Sequence, residues 1–199
     1  MRLQDLRPVA AALALAVLTG SSAWAAAASA AAADVSAVFG PRVIANPHFK
    51  APMFTGDFDG DGVADAVYLV TVLPASAKNR LAPDVTVIDG VFDGAAPMGA
   101  QGEKTVLAIV QQGGKRKFLV TGGASQGPDS PGYFDTPIWT ARYTPLKLAR
   151  RGSKTFRYFN EQERRIKNDV IVVGTEAGID TALYWNGKTY VLFSPNEEP

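Results

Sequence analysis

The chain has 199 residues, a formal net charge of +1, 47 % hydrophobic residues and no cysteine. Disulfides, thiolate metal centres and a cysteine nucleophile are thereby excluded, and the balanced charge removes any global argument for nucleic acid or a membrane surface as partner. Stability has to come from an apolar core, from bound ions, or from both.

The first residues, MRLQDLRPVAAALALAVLTGSSAWAAAASAAAADV, place Arg2 and Arg7 ahead of an apolar stretch and then small residues with a cleavable Ala23-Trp24-Ala25. This pattern predicts a secretory signal peptide over 1–25, with cleavage as late as about 33. The apolar run ends before Thr19, short of the ~20 residues a membrane anchor needs. A twin-arginine pair is absent, and without cysteine a diacyl lipid anchor is ruled out. The expectation is a periplasmic or secreted protein with no transmembrane segment after processing. Residues 34–199 suit one domain of the usual ~100 to 200 residues.

Next in the chain comes FTGDFDGDGVADAVYLV, residues 54–70, with four aspartates followed at once by an apolar run. Like charges crowded into a tight loop raise one another's pKa unless a cation compensates. The spacing D-x-D-x-D-G-x-x-D offers Asp57, Asp59, Asp61 and Asp65 as oxygen ligands at loop positions 1, 3, 5 and 9. The carbonyl of Val63 is a further ligand at position 7. Gly60 and Gly62 allow the sharp bends. Hard oxygen donors select calcium or magnesium over zinc or copper, and an enclosing loop of irregular geometry favours calcium. An EF-hand is excluded twice: position 12 is Tyr68 instead of a glutamate, and the loop leads into a strand, not a helix.

Residues Phe54 to Val67 resemble the signature of FG-GAP and VCBS-type repeats, a glycine-aspartate turn, an acidic loop and a closing aspartate ahead of a strand. The resemblance implies that Asp57, Asp59, Asp61 and Asp65 are calcium ligands and that the strand belongs to a β-sheet blade. A weaker echo, Asp169-Val170-Ile171-Val172-Val173, keeps the closing aspartate and strand but lacks the acidic loop before them. A complete propeller needs four to eight blades of four strands, so one full motif leaves a few-bladed assembly and a sandwich both open.

Further along, AVYLVTVL (66–73), DVTVID (84–89), KTVLAIVQQ (104–112), KFLVTG (117–122) and NDVIVVGTE (168–176) read as strands. GVFDGAAPMGAQG reads as a loop, and QQGGKRKF as a hairpin turn around Gly113-Gly114. In the middle segment Pro128, Pro131, Pro137 and Pro145 forbid long helices. IWTARY and KTFRYF are expected to be strands there, and EQERRIK at most a helical turn. Near the end, TALYWNGKTYVLFS predicts a hairpin whose type I′ turn is centred on Asn186-Gly187. Leu183, Trp185, Tyr190 and Leu192 are its candidate core residues. The fold class expected is mainly β: an antiparallel β-sandwich or a blade-like, partly propeller-like sheet assembly.

Catalytic candidates are few. His48 is the single histidine, in the extended segment Asn46-Pro47-His48-Phe49, and Asp129, Asp135, Glu161 and Glu163 show no spacing that sets a carboxylate pair across a cleft. Gly187-Lys188-Thr189 ends like a phosphate loop, but Ala182 stands where its first glycine belongs. No catalytic residue is assigned; an uncharacterised hydrolase ranks last.

Charge is unevenly distributed: seven aspartates against Lys78 and Arg80 from Asp57 to Asp93, then nine Lys or Arg against Glu161 and Glu163 from Arg142 to Lys167. Tyr133, Phe134, Trp139, Tyr143, Phe156, Tyr158 and Phe159 flank that basic cluster. Tyr, Trp and Arg together are enriched in interface hot spots. The expectation is an exported, calcium-binding β module that docks a protein or a cell-wall glycan through residues 133–167, with nucleic acid disfavoured.

Overall fold

The computed structural model describes residues 35–49, 51–89, 91, 105–113, 115–121, 146–174 and 180–195. The expected signal peptide, the loop before residue 104 and the segment from 122 to 145, with IWTARY and four of the flanking aromatics, lie outside the described residues.

Among the described residues the chain is mainly β. A short helix α1 (Val35–Phe39) leads into β1 (Val43–Ala45), β2 (Phe54–Gly56), β3 (Asp65–Val72), β4 (Val85–Ile88), β5 (Thr105–Gln111) and β6 (Arg116–Val120). These strands form one sheet in the order β1-β3-β5-β6-β4, with β2 also paired to β3. Then follow β7 (Leu146–Ala149), helix α2 (Lys154–Gln162), β8 (Val170–Gly174), β9 (Asp180–Trp185) and β10 (Tyr190–Phe193). They make a second sheet, an antiparallel meander in the order β10-β9-β8-β7. Neither sheet is closed into a barrel.

The expected strands at 66–73, 84–89, 104–112, 117–122 and 168–176 are present, with ends that differ by one or two residues where they are described: β3 and β6 begin one residue earlier than expected, and all five end one or two residues sooner. One pairing departs from an all-antiparallel arrangement. β4 runs parallel to β6, from Val85 opposite Lys117 to Ile88 opposite Val120. The chain between β4 and β5 is long enough for the crossover a parallel pair requires.

KTFRYF is helical, contrary to the strand expected from its aromatics. Ser153 caps α2, its Oγ accepting the Phe156 N–H at 3.1 Å, and Phe156 and Phe159 fall three apart on one buried face. Burying two phenylalanines on one stripe outweighs the β propensity of the individual residues, each such side chain stabilising by about 1.5 to 3 kcal/mol.

Both faces of the second sheet are covered, which explains its near-continuous apolar strands. Leu183, Trp185 and Tyr190 share a core with Val67, Leu107, Ile109, Phe118 and Leu119 of the first sheet. Tyr184, Ala182, Val170 and Val172 pack instead with Phe156, Phe159 and Ile166. Rings join the sheets: Phe118 lies 5.5 Å from Trp185 and 5.4 Å from Tyr190, centre to centre. The C-terminal hairpin forms with Trp185 opposite Tyr190 and Leu183 opposite Leu192, so all four candidate residues face the same way.

Its turn differs from type I′. Only Gly187 has positive φ, at 97°. The Asn186 side chain instead accepts the N–H groups of Lys188 and Thr189, both at 2.9 Å, and the Asn186 N–H reaches the Thr189 carbonyl at 3.0 Å. This side-chain capping replaces a second left-handed residue.

Candidate cation site

The acidic loop joins β2 to β3, which pair antiparallel from Phe54 opposite Val67 to Gly56 opposite Asp65. Phe58 points into the core, 1 % exposed, and anchors the loop. From Gly60 to Val63 the loop is exposed. Gly60 and Gly62 adopt φ of +83° and +81°, which L side chains rarely accept.

One carboxylate oxygen from each of Asp57, Asp59 and Asp61 lies within 4.8 Å of the others. Their backbone surroundings fix that convergence. Asp57 accepts the N–H groups of Gly60 at 2.7 Å and Gly62 at 3.2 Å, Asp59 accepts that of Asp61 at 3.2 Å, and Asp61 accepts that of Val63 at 2.7 Å. Three hard oxygen donors gathered this way fit a calcium-like ion in charge and chemistry. Val63 itself is exposed. Tyr68, where an EF-hand would carry its glutamate, is buried in β3.

Asp65 stands beside this group instead of within it. Fully buried at the start of β3, it accepts the Phe58 N–H at 2.9 Å through Oδ2 and the Gln112 N–H at 3.1 Å through Oδ1. It thus ties the loop to the end of β5. Burial pushes its pKa up to about 7, the two backbone N–H groups oppose the rise, and the charges of Asp59 and Asp61 add to it. One step beyond the Ala66–Val110 pair, Asp65 shares a sheet face with Gln111, itself paired with Arg116. Gln111 donates to the Tyr190 hydroxyl at 3.0 Å, so this polar row closes the end of the apolar layer between the sheets. Burial raises the Tyr190 pKa as well, despite the opposing Gln111 bond.

Two residues outside the motif hold the loop. Arg116 donates to Asp59 at 2.9 Å while its guanidinium lies 4.6 Å over the Trp185 ring. It supplies part of the compensating charge and links the loop to the second sheet. Asp169, just ahead of β8, accepts the Asp57 N–H at 3.2 Å and the Arg151 N–H at 2.7 Å, and its own N–H donates to the Asp57 carbonyl at 3.1 Å. Arg150 pairs with it at 3.6 Å.

Asp169 therefore repeats the role of Asp65. Each begins a strand and accepts one N–H from the acidic loop and one from the residues leaving the neighbouring antiparallel strand. The echo at Asp169-Val170 in the sequence marks this position. Arg116 carried no signal beyond its place in a turn.

Backbones approach closely here. A methyl on Gly113 would come within 1.5 Å of Asp61 Oδ2, and one on Gly60 within 2.5 Å of the Asn168 amide oxygen. Of the catalytic candidates, His48 is exposed in the turn after β1, where its N–H donates to Asn46. Glu163 is held below the usual carboxylate range by its hydrogen bonds from Arg165. Asp129 and Asp135 lie outside the described residues. Comparison of the chain with protein-family models, curated proteins and solved structures gives no match.

Proposed function

We propose that the chain is an exported β-sandwich module of the cell envelope, loaded with calcium at the β2–β3 loop and serving as a binding or structural protein, not an enzyme. The convergence of Asp57, Asp59 and Asp61 carries this reading. The ion bridges three carboxylates that otherwise repel, and in a chain without disulfides it acts as a local cross-link. The Val63 carbonyl is a further proposed ligand. Asp65 contributes through its charge and by shaping the loop from behind. The likeness of residues 54–67 to FG-GAP and VCBS-type repeats supports the same assignment, with the second sheet as a blade-like unit. Export rests on the leader pattern of residues 1–25, and the partner surface on the basic residues around α2.

Calorimetry tests the assignment directly. Wild type is expected to bind calcium, at the roughly 10⁻⁴ to 10⁻³ M affinity of extracellular modules, and to melt higher in its presence. Asp61→Ala is expected to do neither. Absence of both heat and thermal shift in wild type at millimolar calcium would reject the site.

Gly113→Ala gives a second, selective lesion. The new methyl displaces the exposed end of Asp61 without touching the core, so metal-free stability should stay within about 1 kcal/mol of wild type. Calcium affinity should fall about tenfold, the effect of losing ~1.4 kcal/mol from one ligand. Unchanged affinity in this variant would remove Asp61 from the ligand set.

A further inference from the structure

Around the start of α2 the surface is positive, and the one acid on this helix face, Glu161, stands a turn beyond Arg157, toward the far end of the helix. Arg151, Lys154 and Arg157 are exposed and have no ion-pair partner among the described residues. The first turn of the helix carries no acidic residue. Lys154 and Arg157 are three residues apart, about one turn and ~4.5 Å along the axis, so both stand on the face opposite Phe156 and Phe159. Tyr158 joins them there, 48 % exposed, its ring held edge-on against buried Phe159 at 5.2 Å. A fixed aromatic face beside three unpaired cations is a surface for an anionic ligand that also has a flat, weakly apolar side.

We propose that this face binds an acidic polysaccharide in which uronic acid alternates with neutral sugars. The proposal rests on the binding role inferred above and specifies its partner. Carboxylates are read by Arg151, Lys154 and Arg157, with the arginine forks suited to bidentate contact. The C–H side of a pyranose ring lies on Tyr158, whose π face attracts its weakly positive hydrogens.

A protein partner fits this surface less well. Protein interfaces need a buried apolar centre, and the exposed large hydrophobics among the described residues are Ile44, Val63 and Tyr158, of which only Tyr158 is on this segment. Nucleic acid fits less well for a different reason. Its phosphates form a dense line of charge, whereas the basic face borders the acidic loop, to which Asp169 joins it through Arg151 and Asp57. A polymer with one carboxylate per two sugars demands only intermittent cations.

The test uses fluorescently labelled hyaluronan oligosaccharide, in which a uronate alternates with a neutral sugar, titrated with the full chain in millimolar calcium and followed by anisotropy. Neutral dextran, poly-glutamate and duplex DNA serve as competitors. Hyaluronan should bind saturably and dextran should not compete. Reversing two cations in Lys154→Glu with Arg157→Glu should weaken binding at least about tenfold, since rim charges steer and hold a polyanion. Tyr158→Ala should weaken it about threefold or more through lost stacking. No binding, or binding that survives both variants, overturns the proposal. Equal or better competition by poly-glutamate or DNA also overturns it and reassigns the face to an acidic protein or to nucleic acid. The calcium-induced melting shift is measured on the same samples: it shows that the variants are folded, and its presence without hyaluronan binding leaves the calcium site standing while the polysaccharide fails.

Discussion

Replacing Asp169 with alanine is expected to lower the unfolding free energy by about 2 to 4 kcal/mol, because two backbone N–H groups lose their acceptor and each costs ~1 to 3 kcal/mol when left unsatisfied out of water. For a domain of this size such a loss lowers the melting temperature by roughly 5 to 15 °C. The Arg150 ion pair adds little, since its guanidinium is 62 % exposed. Asp169→Asn discriminates between charge and acceptor count. Its single carbonyl oxygen satisfies either Asp57 or Arg151, and its amide hydrogens then face the other N–H. The asparagine variant should therefore melt close to the alanine variant. Amide hydrogen exchange at Asp57 and Arg151 should accelerate in both. A loss below about 1 kcal/mol would mean that water takes over the acceptor role and that the clamp is incidental.

The second large effect concerns pH. Asp65 has its pKa raised from 3.8 to about 7 by burial, so the folded chain holds that proton more tightly than the unfolded chain. The Asp65 contribution to the stability of the metal-free protein is therefore full below about pH 4 and falls as pH climbs from there to about 7, above which it is spent. One proton sets the ceiling of the slope at ~1.4 kcal/mol per pH unit. Calcium reverses the local logic, because a double positive charge beside Asp59 and Asp61 favours the ionised carboxylate. Melts taken from pH 4.5 to 7.5 should thus decline in metal-free buffer and flatten or rise in calcium. Asp65→Asn should remove the decline, at the cost of a lower baseline from its mismatched amide against Phe58 or Gln112. A metal-free profile that rises through this range would show that Asp65 stays ionised without the ion.

Sequence patterns revealed what was local. β3, β5 and β8 are runs of valine, isoleucine and leucine buried on both faces, and such runs read as strands without further context. The acidic loop was legible because its glycines and aspartates alternate within a few residues. KTFRYF misled because aromatic residues favour strands in general, while the deciding facts were the cap at Ser153 and the spacing of Phe156 and Phe159. Those two signals were present and would have identified α2. The roles of Arg116 and of the Tyr190 hydroxyl could not be found that way. Their partners, Asp59 in the β2–β3 loop and Gln111 on β5, are far away in sequence, and the pairing depends on sheet order, which residue patterns do not encode. The parallel β4–β6 pair belongs to the same category.

The mutual bonds between Asp57 and Asp169 also bear on the order in which the chain assembles. They join positions 112 residues apart, and contacts at such separation form only after the intervening chain has been gathered. During synthesis the β2–β3 hairpin emerges well before the residue that fastens its loop. The hairpin is thus expected to spend its early life with a loosely held acidic turn, and ion binding at full affinity to coincide with docking of the second sheet. Refolding followed simultaneously by calcium uptake and by fluorescence of Trp185, which sits at the junction of the sheets, should show both signals rising together.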